Sequence, residues 1–299
     1  MYTKLIFNLN TYANFSNLLI SMLTCLLFLS FTQQVVAQAK LDFSQERGFN
    51  DAPFHLIITA EDPSVTIRYT LDGEEPSTNS GEIYNGPILI ETTTVLRAIG
   101  YLTGVDTSKI YTHTYLFIED VINQPANISG WPNNRYDIGS GNATAVHDYE
   151  MDPAIVNSPL YNADLIKGLT DIPSMSIVMP KDDFWEVNDG NAEKKTSIEL
   201  LYADDPNRNE QEDGGIEGHS HDRLKRSYRL SFKHIYGAGD WDSDIFRNAA
   251  VGSETAENEF DRIVLRAGTT VLGLETGIPI EPPIQEMNGC ASHKLQLQE

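Results

Sequence analysis

The stretch GHSHDRLKRSYRLSFKHIYG, residues 218 to 237, gathers side chains that could bind an anion or a metal ion. It holds five of the 21 lysine and arginine residues of a chain whose formal net charge is −22. Alternation with period two predicts a strand with apolar side chains inward and an outward row that includes Lys225, Arg229 and Lys233. Such a row can hold phosphate or sulfate by charge-assisted hydrogen bonds. The cations can instead pair with some of the 43 acidic residues, and the physics alone favours this second interpretation.

The histidines at the start of this stretch raise the question of a zinc site. In an extended chain His219 and His221 point to the same side, with Asp222 next to them. No second cluster in the sequence supplies the remaining ligand. Histidines in a turn or on the surface are therefore the favoured interpretation, and no metal site is predicted.

Two acidic loops resemble calcium-binding segments only in their alternating oxygen ligands. Counted from Asp205 or from Asp240, neither loop has glycine at the sixth position or glutamate at the twelfth, as an EF-hand requires. We interpret both loops as solvated turns.

Three aromatic residues are candidates for contact with carbohydrate. Tyr84, Tyr101 and Trp131 are candidates for exposed aromatic residues, and aromatic rings stack on the faces of sugars. Packing in the protein core is the alternative for all three. A glycoside hydrolase is disfavoured because no pair of catalytic carboxylates can be assigned.

The elements that position Tyr84 and Tyr101 are predicted to be short strands between residues 54 and 118. Runs such as HLIIT, VTIRYTL, PILI, TTVLRAIGY and IYTHTYLFI, separated by turn residues, are typical of an all-β sandwich. In VTIRYTL, alternation places Ile67, Tyr69 and Leu71 on one face. The Asp72-Gly73 dipeptide predicts a tight turn after this strand.

These strands also carry a family resemblance. IRYTLDGEEPS, then YNGPILI, then TTVLRAIGY, resemble the small fibronectin-III-associated sandwich found beside chitobiases, hexosaminidases and other secreted bacterial glycoside hydrolases. The resemblance covers about residues 43 to 118. It implies an immunoglobulin-like accessory domain over residues 40–118 that has no catalytic role.

Residues 119–172 are polar and rich in asparagine, glycine and proline, which predicts a linker with one or two short helices. Asp152-Pro153 is a favourable helix start, with a capping carboxylate before proline at the first helical position. From residue 173 to 270 short strands alternate with helical turns. This second region is predicted to be a partial α+β domain.

The second region carries its own resemblance. PSMSIVMPKDDFW, SIELLYAD, GGIEGHSHDRLKRSYRLSFKHIYG and FDRIVLRAG follow the order and spacing of the N-terminal part of the CotH (spore-coat protein H) kinase-like domain. That family is described as atypical kinases that use ATP and a divalent metal. The resemblance implies that Lys225, Arg226 and Arg229 contact an anion or phosphate.

The sequence departs from this family in two ways. Glu217 lies near the position where the family carries a cation, and its charge would repel a triphosphate. The family's catalytic aspartates lie beyond the block matching FDRIVLRAG, whereas residues 271–299 form an irregular tail without that pattern. Phosphoryl transfer depends on those carboxylates. We therefore expect a truncated domain without catalysis, and ATP and a metal as cofactors only if the domain were complete.

The remaining segments concern export. An apolar run from Leu18 to Phe31, followed by Ala37-Gln38-Ala39, predicts a signal peptide over residues 1–39. The run is too short to span a bilayer, so no membrane span is expected after cleavage. Cys290 then has no partner for an internal disulfide. The acidity argues against nucleic acid as a partner.

Together these patterns favour a secreted or cell-surface bacterial accessory protein without catalytic activity. One alternative is a module that binds an extracellular polysaccharide or the cell wall. The other is residual nucleotide binding or atypical kinase activity.

Overall fold

The first part of the fold is built from nine short strands. The computed structural model describes residues 39–102, 107–131, 135–137, 144–146, 149–189, 192–220, 227–246, 250–251 and 254–266. The strands of the first part are β1 (Leu41–Phe43), β2 (Gly48–Phe49), β3 (Phe54–Leu56), β4 (Ile58–Ala60), β5 (Thr66–Thr70), β6 (Glu82–Ile83), β7 (Ile88–Ile90), β8 (Thr94–Tyr101) and β9 (Tyr111–Leu116).

These strands form one five-stranded sheet and two strand pairs. The sheet has the order β2-β9-β8-β5-β6, and the pairs are β1-β4 and β3-β7. All of these pairings are antiparallel except the one between β2 and β9. Side chains from the sheet and from both pairs fill one apolar core, and its fully buried members include Leu56, Ile90, Leu96 and Tyr115. This arrangement is consistent with the predicted β-sandwich.

The predicted run HLIIT is two strands instead of one. The chain changes partners at Ile57, since β3 pairs with β7 whereas β4 pairs with β1. Ile57 is 45% exposed, and its backbone N–H donates to the Ser44 hydroxyl at 2.8 Å. In VTIRYTL, Ile67 and Tyr69 face the core as predicted. Leu71 is 42% exposed because β5 ends one residue earlier.

The predicted linker contains more structure than its composition indicates. Its elements are α1 (Ile118–Ile122), β10 (Arg135–Asp137), β11 (Thr144–Val146), α2 (Pro153–Val156) and α3 (Asn162–Asp171), with β10 and β11 paired antiparallel. Ile122, Met151 and Val156 form a small apolar cluster of their own. The predicted helix start is confirmed, because the Asp152 carboxylate accepts a hydrogen bond from the Ala154 N–H at 2.8 Å.

The second part of the fold is organised around another five-stranded sheet. Its elements are β12 (Ser174–Val178), α4 (Lys181–Asp189), β13 (Lys194–Leu201), a 3-10 turn (Pro206–Arg208), β14 (Glu210–Ser220), β15 (Ser227–Ser231), β16 (Trp241–Asp242), β17 (Ala250–Val251), β18 (Glu254–Thr255), β19 (Glu259–Phe260) and β20 (Arg262–Leu265). The sheet order is β12-β13-β14-β15-β20, and every pairing is antiparallel.

The apolar face of this sheet packs on α4 and on the segment around β16. Ile198, Leu230 and Ile263 lie in the same buried cluster as Val187 of α4 and Trp241. In the described part of the segment after residue 240, β16 pairs with β19.

Part of the opposite face of the second sheet, along β13, is also buried, and this was not predicted. On β13, Ser197 and Glu199 are at most 1% exposed although they alternate with the apolar core residues. The Thr114 N–H of β9 donates to Glu199 at 3.2 Å, and the Thr114 hydroxyl lies 2.7 Å from the hydroxyl of Ser176. The second sheet therefore stacks directly on the large sheet of the sandwich, and the described residues belong to one compact unit.

Within the described residues, no helix combines the length and apolar character needed to cross a membrane.

Candidate functional site

An aromatic group lies where the segment after α1 meets α4. Trp131 is its centre, and its ring centroid lies 5.8 Å from that of Phe184, 5.9 Å from Trp185 and 6.4 Å from Tyr149. Phe184 and Trp185 are consecutive residues of α4, and their own rings are 4.9 Å apart in an edge-on arrangement. We call these four residues the Trp131 group.

Local backbone structure fixes the position of Trp131. Gly130 has a φ of +80°, a left-handed conformation that favours glycine. The Trp131 N–H then donates to the Ile128 carbonyl at 3.0 Å. The Lys181 ammonium donates to the Gly130 carbonyl and lies 5.5 Å from the centre of the Trp131 ring. A hydrogen-bonded turn and a cation–π contact therefore hold the ring in place.

Trp131 remains accessible although its neighbours restrain it. Trp131 is 38% exposed, whereas Phe184 and Trp185 are half-buried. A restrained aromatic ring loses little conformational entropy when a ligand stacks on it. The Trp131 group can therefore offer a flat apolar contact to a ligand, such as the face of a sugar ring.

Tyr84 and Tyr101, the other two predicted carbohydrate contacts, are half-buried and hydrogen-bonded within the sandwich. The Tyr84 hydroxyl accepts a hydrogen bond from the Ile58 N–H at 3.1 Å, and its ring packs against the sandwich core. The Tyr101 hydroxyl accepts from the Arg68 guanidinium at 3.2 Å. The structure does not bring these tyrosines into the Trp131 group. Their proposed contact with carbohydrate stays a prediction.

The cationic row of β15 faces away from the apolar core, as predicted, but carboxylates accompany its described members. The Arg229 guanidinium forms an ion pair with Glu217 on the adjacent strand, and Lys233 pairs with Glu193 at 2.6 Å. Burial acts to raise the pKa of Glu193, yet hydrogen bonds from Lys233 and Tyr236 outweigh it and hold that pKa below its usual range.

This pairing leaves the anion-binding prediction without a supporting contact. The carboxylate of Glu217 is already paired with the Arg229 guanidinium, and its negative charge repels a phosphate. Lys225 and Arg226, the other two predicted anion contacts, lie outside the described residues. The role of all three in binding phosphate stays a prediction.

His219 and Asp205, candidates from the histidine cluster and from the first acidic loop, fall in ordinary structural settings. His219 lies near the end of β14, and His221 and Asp222 lie outside the described residues. The Asp205 carboxylate accepts from the Asn207 N–H at 3.2 Å and caps the 3-10 turn. In the part of the chain that the structure describes, no group of three or more histidine, cysteine or acidic side chains is arranged to hold a metal ion.

Sequence reasoning missed a buried charged cluster between the two sheets. Glu199 lies 3.5 Å from the guanidinium of Arg47, whose side chain is 12% exposed. A second nitrogen of Arg47 lies 3.4 Å from the ring of His113, which is 2% exposed. Burial raises the pKa of Glu199, and Arg47 and the Thr114 hydrogen bonds oppose this increase. Burial also lowers the pKa of His113 well below its usual value, and Arg47 adds to this effect.

One signal in the sequence could have indicated this cluster. Glu199 lies within the run SIELL, where apolar residues occupy both sides of the charged position. Leu201, two residues further on, lies on the same face of the strand as Glu199 and favours a covered face, where a carboxylate is rarely buried without a partner. The partner itself could not be named, because Arg47 lies more than 150 positions away in the sequence.

Comparison with known protein families agrees with the sandwich. The family model of the chitobiase/beta-hexosaminidase C-terminal domain matches residues 46–112, a range that begins just before β2 and ends early in β9. No curated protein and no solved structure matches the chain. The chain therefore carries a chitobiase/beta-hexosaminidase C-terminal domain, while the resemblance of the second part to the CotH kinase-like domain receives no support.

Proposed function

We propose that this chain is a non-catalytic accessory protein that binds an extracellular polysaccharide, with the Trp131 group as its contact surface. The observation that carries the proposal is a restrained tryptophan, 38% exposed, in a chain whose sandwich matches a domain of carbohydrate-active enzymes. The family match favours a carbohydrate-related role, and an accessible aromatic surface such as the Trp131 group is a suitable contact for a sugar ring.

The charge of the chain narrows the class of polysaccharide. A formal net charge of −22 repels anionic polymers over distances of about a Debye length. Asp182, an exposed residue of α4, is the sequence neighbour of Lys181, whose ammonium lies beside the Trp131 ring, and its charge offsets that of the lysine. A neutral or amine-bearing polysaccharide is therefore favoured over an acidic one.

The proposal includes a location outside the cytoplasm. It rests on the apolar run and the small-residue cleavage pattern at the start of the sequence, which lie outside the described residues apart from Ala39. The protein is then expected in the culture medium or at the cell surface. Fractionation of the producing cells tests this part of the proposal.

The decisive test is the substitution Trp131→Ala. Removing the stacking ring should weaken binding to a retained polysaccharide about tenfold, which corresponds to about 1.4 kcal/mol. Affinity electrophoresis in gels that contain soluble neutral or amine-bearing polysaccharides measures the effect.

The matched control is Tyr161→Ala, since Tyr161 is an aromatic residue that is 53% exposed and lies outside the Trp131 group. The control should migrate like the unmodified protein, and near-ultraviolet circular dichroism should show that both variants are folded. Unchanged retention of Trp131→Ala, or no retention of the unmodified protein by any polysaccharide, would contradict the proposal.

A further inference from the structure

The edge of the sandwich has a concave surface that does not include the Trp131 group. This depression has a volume of about 350 Å³ and opens between β4, the start of β5, and β6. The residues that line it include Ile58, Val65, Ile67, Ile83 and Tyr84, with the carboxylate of Asp62 among the polar members, and its accessible surface is about equally polar and apolar. Pockets that hold small ligands commonly have this size.

The walls of the depression are held in place by the sandwich. The Ile58 N–H donates a hydrogen bond to the Tyr84 hydroxyl at 3.1 Å, and the Tyr84 N–H donates to the Ile67 carbonyl at 2.9 Å. The ring of Tyr84 also meets that of Tyr69 edge-on at 6.4 Å. The concave shape is therefore part of the folded sandwich and does not have to form when a ligand arrives.

The polar part of the depression is acidic. One oxygen of Asp62 accepts a hydrogen bond from the Ser64 N–H at 2.8 Å, and its other oxygen has no protein partner among the described residues. Glu61 and Glu82 directly flank lining residues in the sequence and are exposed. An anionic ligand would be repelled here, whereas an ammonium group can form a charge-assisted hydrogen bond with Asp62.

We propose that this depression is a binding subsite for an amine-bearing pyranose ring of a polysaccharide. The apolar walls contact the C–H face of the sugar, and the carboxylate of Asp62 binds its ammonium group. This inference rests on the proposed polysaccharide binding and names the sugar class that a second contact surface selects. Ile83 supplies an accessible part of the wall, because it is 47% exposed.

The test compares two oligosaccharides by calorimetry at pH 6. One is a β-1,4-linked glucosamine hexamer, and the other is a β-1,4-linked glucose hexamer of the same length. Asp62→Asn keeps an oxygen that accepts from Ser64 but removes the charge. It should weaken binding of the amine-bearing hexamer about tenfold and leave binding of the neutral hexamer unchanged.

The apolar wall has a matched control. Ile83→Ser should weaken binding of both hexamers, whereas Leu89→Ser should affect neither, because Leu89 is also 47% exposed but does not line the depression. Binding of the amine-bearing hexamer that is insensitive to Asp62→Asn and to Ile83→Ser overturns the subsite.

The two proposals fail differently. If both hexamers bind and Trp131→Ala weakens that binding while the depression variants have no effect, only the subsite is wrong. If neither hexamer nor any polysaccharide binds the unmodified protein, the proposed function is wrong and the subsite falls with it.

Discussion

His113 is a histidine that the fold keeps out of water. It is 2% exposed, its ring centroid lies 4.0 Å from that of Phe43, and its Nδ1 has no hydrogen-bond partner among the residues that the structure describes. Arg47 on one side and Lys109 further away disfavour a positive charge on the ring. Glu46 is the nearest acidic group, at 3.8 Å, but it is largely exposed and does not offset the cost of burial. The native protein therefore holds this histidine neutral.

This neutral state predicts a loss of stability in mild acid. The unfolded chain binds a proton on His113 below its ordinary pKa of 6.5, whereas the folded chain does not. The contribution of His113 to the free energy of unfolding is therefore fully present above pH 6.5 and decreases as the pH falls toward the lowered pKa of the folded state. The slope from one such group is at most about 1.4 kcal/mol per pH unit.

His113→Phe keeps an aromatic ring beside Phe43 and removes the titration. Urea unfolding at pH 7.5 and at pH 5 measures the free energy of unfolding. Its decrease between these two pH values should be smaller for the variant than for the unmodified protein. Glu199 acts in the opposite direction, since burial raises its pKa and its protonation stabilises the fold as the pH falls. Glu199 is present in both proteins, so the difference between them isolates His113. Equal decreases would contradict the expectation.

At the scale of elements, the short strand β6 depends on the conformation of one glycine. Gly81 has a φ of +88°, and a Cβ atom at this position would lie 2.8 Å from the Tyr69 carbonyl oxygen. The preceding loop is held by Arg97, which is 2% exposed and donates to the Gly73 carbonyl at 3.1 Å and to Glu75 at 2.9 Å. The turn at Gly81 and the loop held by Arg97 place β6 beside β5, where β6 forms one wall of the depression.

Gly81→Ala should therefore destabilise the protein, whereas Gly86→Ala should not. Alanine at position 81 meets both an unfavourable φ and a backbone oxygen, so the free energy of unfolding should fall by about 1–3 kcal/mol. At Gly86 an added Cβ meets no atom within 4 Å, which makes it a matched control three residues beyond β6. Urea denaturation measures both variants, and similar midpoints for the two would show that the turn does not require glycine.

At the scale of the whole molecule, the sandwich and the second sheet share a buried layer instead of being separated by a linker. Besides the contacts of Glu199, the Asn209 amide donates to the Arg47 carbonyl at 2.7 Å. The Lys181 N–H donates to Glu74 at 3.0 Å. The sandwich therefore contacts both α4 and the turn after β13, and the two parts are expected to unfold together.

Glu199→Ala tests this coupling. The substitution leaves the Arg47 charge buried without its carboxylate, so the free energy of unfolding should fall by about 3 kcal/mol. The three tryptophans, Trp131, Trp185 and Trp241, all lie outside the sandwich, so their fluorescence reports on the rest of the chain. Hydrogen exchange of the β8 amides reports on the sandwich.

Tryptophan fluorescence and hydrogen exchange in β8 should report the same decrease in the free energy of unfolding for Glu199→Ala if the two parts form one cooperative unit. An exposed carboxylate in the sandwich provides the control, since Glu91→Ala should leave both signals unchanged. A decrease in the fluorescence signal with unchanged exchange in β8 would show that the parts unfold independently.

Much of the local structure followed from the sequence. Period-two alternation predicted β5 and β15, strand-like runs between turn residues predicted β8 and β9, and the Asp152-Pro153 pair predicted the start of α2, because these signals depend on neighbouring residues alone. The family resemblance of the sandwich, now matched over residues 46–112, rested on the same local motifs. Trp131 was identified as a candidate contact from its residue type, but the contacts with α4 that restrain its ring were not predicted from the sequence.

Only the tertiary structure decided which faces of the strands are buried. The sequence marks Ile198 and Leu200 as core residues by their apolar character, but it gives the same polar signal for an exposed face and for Ser197 and Glu199 in a buried polar layer. Burial of such groups depends on hydrogen bonds and charges from distant segments, here Thr114 and Arg47. Those contacts arise when two sheets stack, and no local pattern encodes them.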